Sequence, residues 1–140
     1  MTKEVVVTIC GRQTEPGQET NIVETKARGE YYERNQHRFL LFEEEVEGFP
    51  MPIKNMLRFT EDFVEMTKKG PVTTKMTYKK GENHLCPYQT PYGEFLFGMN
   101  TKEIRFFESE NQIRVIVDYA MEIEEKHFAD CQIIIKILSA

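Results

Sequence analysis

Apolar and polar residues alternate with a period of two along most of this chain, the spacing of a strand that buries one face. The longest run is Ile113, Val115, Val117, Tyr119, Met121 and Ile123, alternating mainly with Arg114, Asp118 and Glu122. Cys131, Ile133, Ile135 and Ile137 repeat the pattern near the C-terminus. Phe95, Phe97 and Met99 do so mid-chain, as do Thr74, Met76 and Tyr78, and Val5, Val7 and Ile9 share a face at the start. Turn chemistry falls between the runs: Glu15-Pro16-Gly17-Gln18, Lys69-Gly70-Pro71, Lys80-Gly81-Glu82-Asn83 and Glu108-Ser109-Glu110-Asn111. Glycine supplies positive φ without steric cost, and proline presets φ while withholding a ladder donor. The pattern predicts strands near 3–12, 20–34, 37–47, 53–59, 62–68, 72–80, 84–90, 94–101, 103–108, 112–124 and 128–138. The one helical candidate is a short turn around Pro50–Met56. No linker, repeat or low-complexity stretch divides the chain, so residues 1–140 read as a single domain.

Short strands with no covering helix must dispose of their edges. The expected solution is an all-β fold, a single antiparallel meander closing into a calycin- or lipocalin-like barrel of about eight to ten strands. A two-sheet sandwich is the second solution. On the opposite face of the same strands, Leu96, Phe107, Ile116, Ile134 and Leu138 are expected to point away from the core. Gathered together they would make an apolar patch that needs covering. A homodimer through these five residues is the corresponding expectation; scattered surface hydrophobes, or strands bent between two cores, are the bland alternative.

Composition narrows the partners more than the fold. The aromatic set is ten Phe and six Tyr with no Trp, bulk that can either fill an interior or line a pocket. The formal charge is −5, and the only tight basic pairs, Lys68-Lys69 and Lys79-Lys80, abut glycines. A phosphate-binding surface gathers a basic stripe, so nucleic acid is not an expected partner. Nothing approaches the roughly 18 apolar residues of a spanning helix, and Met1-Thr2-Lys3-Glu4 lacks the apolar core of an export signal. The three cysteines, Cys10, Cys86 and Cys131, are unclustered and are expected as free thiols in the cytoplasm.

Tyr88-Gln89-Thr90-Pro91-Tyr92-Gly93-Glu94-Phe95, running on to Asn100-Thr101, resembles the signature of the YwiB-like family. Gly29 with Tyr31-Tyr32 resembles that family's second strand, and Leu41-Phe42-Glu43-Glu44 its third. Val117-Asp118-Tyr119-Ala120-Met121 resembles its long penultimate strand. The resemblance covers nearly the whole chain and implies a small bacterial barrel, grouped by fold with the calycins, of uncharacterised function. It implies no catalytic or binding residues. One departure is Lys68, where the family often carries arginine before the glycine; a lysine ammonium cannot reproduce a bidentate fork.

Candidate chemistry is sparse. Thr90-Pro91-Tyr92-Gly93 suits a type I turn, and a functional reading puts Tyr88 and Tyr92 at a barrel mouth. His84 with Cys86, and His127 with Cys131, have no known zinc spacing, so no metal site is expected. Glu43-Glu44-Glu45 and Glu122, Glu124 and Glu125 read as solvated faces. Arg12, Arg58, Arg105 and Arg114 are candidates to enter the lumen and hold a ligand carboxylate, and nothing selects among them. With two serines, Ser109 and Ser139, and no nucleophile elbow or phosphate loop, no catalytic residue or cofactor is assigned. The leading expectation is a non-catalytic protein that holds a small, partly apolar ligand in or at the mouth of the barrel. Its lining would be Tyr78, Phe95, Phe97, Tyr119 and Met121, with Tyr88 and Tyr92 near one opening. A filled barrel that works through its outer face is the first rival, and an enzyme using His84 or His127 the second.

Overall fold

The computed structural model describes residues 1–140, leaving aside the side chain of Thr90. Ten strands follow one another: β1 (Glu4–Thr14), β2 (Asn21–Arg34), β3 (His37–Glu44), β4 (Ile53–Phe59), β5 (Phe63–Lys69), β6 (Thr73–Lys79), β7 (Asn83–Thr90), β8 (Gly93–Glu108), β9 (Gln112–Ile123) and β10 (Lys126–Ser139). Each pairs antiparallel with the next, and β10 returns to pair with β1, so the sheet closes in chain order. Closure removes both sheet edges. The all-β barrel expected from the periodicity is therefore the fold. Among the described residues no helix is long and apolar enough to cross a membrane.

Two expected elements differ. The segments near 94–101 and 103–108 form one strand, β8, whose ladder with β9 shifts register between Thr101 and Glu103. A bulge adds one residue to one side of a ladder, so Phe97, Met99 and Thr101 before it, and Ile104 and Phe106 after it, all face inward. That change of parity imitates a turn in the sequence. The expected helical turn around Pro50–Met56 is absent: bends at Pro50 and Met51 lead into β4. Pro52 withholds a helical donor, while Asn55, Leu57 and Phe59 keep strand period and are buried. β3 also ends at Glu44, short of the expected 47.

Two hairpins turn through paired left-handed residues: Asn35 and Gln36 (φ 53° and 67°), and Glu124 and Glu125 (φ 52° and 65°). Positive φ at both central positions is the type I′ hand that matches strand twist. Gly29 answers a different need. A Cβ there would lie 2.7 Å from the Leu41 carbonyl oxygen and 3.2 Å from the Phe42 Cβ, so the close approach of β3 to β2 requires glycine.

The inward rows are aliphatic and aromatic, with Leu40, Leu57, Phe59, Ile113, Val115, Val117, Ile135 and Ile137 essentially inaccessible. Arg38 closes one end. It shares the inward parity of Leu40 and Phe42, stacks 4.7 Å over Phe106, and pairs with Glu108 at 3.2 Å and Glu33 at 3.7 Å. Tyr31 donates its hydroxyl to Glu33 at 2.8 Å. Burial, and then that carboxylate, push the Tyr31 phenol well above its ordinary value.

Candidate functional site

The end opposite Arg38 collects the last residues of β3, β5, β7 and β9 and the first of β4, β6, β8 and β10. One row of cross-strand neighbours runs over the inward face here. Phe42 pairs with Asn55, Asn55 with Lys68, Lys68 with Thr74, Thr74 with Tyr88, and Tyr88 with Phe95. Neighbours in such a row stand about 4.8 Å apart. The row therefore joins a polar stretch to an aromatic one.

Asn55 is 3% exposed. Its Nδ2 donates to Glu44 Oε1 at 2.8 Å, and Lys68 Nζ donates to the same oxygen at 3.1 Å. Asn55 Oδ1 is buried and has no partner. Turning the amide over would set two oxygens 2.8 Å apart, so Oδ1 is the atom left over. Glu44 was expected on a solvated face. It stands two residues beyond Phe42, keeps the same inward parity, and its side chain is only 20% exposed.

The aromatic half holds four of the seven expected lining residues. Tyr88 and Phe97 meet edge to face with centroids 5.3 Å apart, a favourable aromatic geometry. Phe95 is half exposed, and Tyr92, on the two-residue turn with Pro91, is 95% exposed. The other three lie deeper. Tyr78 is 2% exposed and its ring meets that of Tyr119 at 4.7 Å, while Met121 packs against the core. Burial is the main cause that pushes both phenols well above their ordinary range. It also pushes up the thiols of Cys86 and Cys131, which keeps them protonated and unreactive. The expected set thus splits into a mouth group and an interior group.

No candidate arginine enters the lumen. Arg58 lies over Phe63 and pairs with Glu65 at 3.3 Å, Arg105 pairs with Asp118 at 3.3 Å, and Arg114 lies over Phe107. Arg12, at an even position of a strand whose Val5 and Val7 point in, faces out. The inward arginine is Arg38, and the signal for it was the period-two series Arg38, Leu40, Phe42. Asn55, Glu44 and Lys68 were open to the same reading.

The histidines are not brought together. His84 Nε2 lies 3.5 Å from Glu82 and His127 Nε2 lies 3.7 Å from Asp130. The Cys86 sulfur accepts from the Thr77 N–H at 3.4 Å and contacts the His84 carbonyl, not its ring. Among the described residues no three His, Cys, Asp or Glu side chains gather as a metal site requires.

Two grooves mark the outer wall. One of about 590 Å³ crosses β1–β4, bordered by Glu4, Arg28, Glu30, Glu43 and Lys54. Another of about 680 Å³ crosses β7–β9, bordered by Leu85, Leu96, Gly98, Glu94, Glu122 and Glu124. Of the expected lining residues Phe95 and Phe97 also border the second groove, while Tyr78, Tyr119 and Met121 border neither; Phe42 and Asn55 border the first.

Residues 7–135 match the family model described as a domain of unknown function, DUF1934. A search of curated proteins finds no match. Among solved structures, the crystal structure of the ywiB protein from Bacillus subtilis superposes with a TM-score of 0.85 at 17% identity, covering 99% of this chain and 92% of that one. At that identity the likeness speaks for the fold.

Proposed function

The chain belongs to the DUF1934 family, and from that premise we propose that it is a non-catalytic binding protein for a small, partly apolar ligand held at the mouth opposite Arg38. The observation that carries this reading is the inward row from Asn55 through Lys68 and Thr74 to Tyr88 and Phe95. Elsewhere the inward rows are mostly apolar, and a buried polar atom without a partner is costly to keep. Asn55 Oδ1 suits a ligand N–H or O–H, Lys68 an acceptor, and Tyr88, Phe95 and Phe97 an apolar or aromatic body. The interior group of Tyr78, Tyr119 and Met121 serves as the floor of that mouth. Three free thiols fit a reducing compartment, the cytoplasm.

Native mass spectrometry of protein that has never been refolded tests the reading, with a titration of anilinonaphthalene sulfonate as a defined aromatic anion. The expected results are excess mass lost on denaturation, and dye binding weakened by both K68M and F95A. No excess mass, together with dye binding indifferent to both substitutions, would remove the proposal.

A further inference from the structure

The five outward apolar residues do not form one cluster. Ile134 pairs with Cys10 and Ile116, and Leu138 with Val6 and Gln112. Phe107 pairs with Arg114, which pairs with Lys136, and Ile116 pairs with Arg105. So Phe107, Ile116, Ile134 and Leu138 share one end of the outer face of β8–β10, interleaved with Arg105, Arg114 and Lys136. Leu96 lies at the other end of β8. There it borders the 680 Å³ groove with Leu85, which is 72% exposed. Gly98 leaves the groove its floor, since a Cβ would lie 3.3 Å from that of Glu122. Around this end stand Glu94, Glu122, Glu124 and Glu125.

We propose that this face is the two-fold interface of a homodimer, with two copies packed antiparallel so that the acidic end of one meets the basic end of the other. The same strand β9 carries both ends: Glu122 and Arg114 are separated by about 27 Å at the usual strand rise. A two-fold axis reverses the strand, so each contact is made twice and every carboxylate cluster finds a cationic one. Among the described residues, Glu122, Glu124, Glu125, Arg114 and Lys136 form no ion pair within the chain. The β9–β10 turn places two of these carboxylates at the acidic end. Glu124 and Glu125 occupy left-handed positions where Asn-Gly would cost less.

Analytical ultracentrifugation at low salt tests the interface with paired charge reversals, each checked for folding by circular dichroism. Wild type is expected to be a dimer that salt weakens. E122K/E124K and R114E/K136E are each expected to be monomers, because both ends of a copy then carry one sign. Mixed in equal amounts, the two variants should restore a one-to-one heterodimer. E124N/E125G should raise the unfolding temperature while weakening the dimer about tenfold. A monomeric wild type at high concentration, variants that remain dimers, or a mixture that stays monomeric would each overturn the proposal.

Discussion

Along β9, β10 and β1 the ladders run for nearly the whole of each strand, from Val5–Ser139 to Thr14–Asp130 on one side of β10 and from Leu138–Gln112 to Lys126–Ile123 on the other. Between β6 and β7 the pairing is confined to Thr73 with Gln89 and Thr74 with Tyr88. Three local features account for the difference. Pro87 has no amide to donate. The Cys86 sulfur, not a carbonyl, receives the Thr77 N–H. The β6–β7 turn bonds instead to the bulge in β8, with Gly81 N–H donating to the Thr101 carbonyl at 2.9 Å and Thr101 N–H to the Glu82 carbonyl at 3.0 Å. The barrel is thus closed by a tightly laddered wall and by a seam where side chains and a turn stand in for backbone pairs. Thr74 and Tyr88, which hold the seam, also belong to the proposed mouth, so the mouth sits on the side with less backbone pairing.

The comparison breaks most directly by cutting volume from each side. Ile135 is fully buried in the wall, while Met76 beside the seam is only partly buried. I135A is expected to lower unfolding free energy by about 3–4 kcal/mol, within the range for large-to-small core changes. M76A is expected to cost about 1 kcal/mol, because less apolar area is removed from cover. Urea denaturation measures both. Equal losses would mean that the seam carries as much of the stability as the wall.

A pH series sharpens it next. Tyr78, Tyr119, Cys86 and Cys131 are all pushed above their ordinary values, with burial as the leading cause. In the unfolded chain the thiols begin to lose protons near pH 8.5 and the phenols near pH 10. The folded protein keeps these protons longer, so above those values it binds more protons than the unfolded state and stability falls as pH rises. The contribution is whole below about pH 8 and fades upward at a limiting slope of about 1.4 kcal/mol per pH unit for each such group. Thermal unfolding followed from pH 8 to pH 11 should show this decline, and Y78F should flatten it. A flat profile would mean that these groups titrate freely in the folded barrel.

How far the sequence reached follows the same division. The wall was legible because Ile113 to Ile123 and Cys131 to Ile137 keep an unbroken period of two, which one buried face imposes directly. The bulge at Lys102 divides β8 into two expected strands, 94–101 and 103–108, since one extra residue changes the parity of the pattern. Tyr88, Phe95 and Phe97, assigned to the proposed mouth, are conspicuous in the sequence as aromatics on strands of period two. Glu44 reads from sequence as a solvated residue and Lys68 only as a departure from the family pattern, because polar residues near turns usually face water, and Asn55 carries no signal of its own. Only their parity with Leu57, Phe42 and Met66 placed them inward. Arg38 was missed for the same reason. The register that sets Lys68 opposite Asn55 and Thr74 is long-range, and no local pattern encodes it.

The most local expected effect lies at Cys86. It is buried at the point where the β6–β7 ladder fails, and its sulfur is the acceptor for the Thr77 N–H. C86A removes that weak acceptor and little volume, so the global cost is expected at about 1 kcal/mol. The local consequence is more informative. Without the sulfur, the Thr77 amide has no partner across the seam, and its hydrogen exchange should quicken by about tenfold. Amides in β9 and β10, such as those of Val117 and Ile135, should slow or quicken only in step with global stability. C86S, whose hydroxyl can accept from the same N–H, should return Thr77 exchange towards wild type even if packing is not restored. Exchange at Thr77 that is already fast in wild type and unmoved by either change would show that the sulfur contact does not hold the seam.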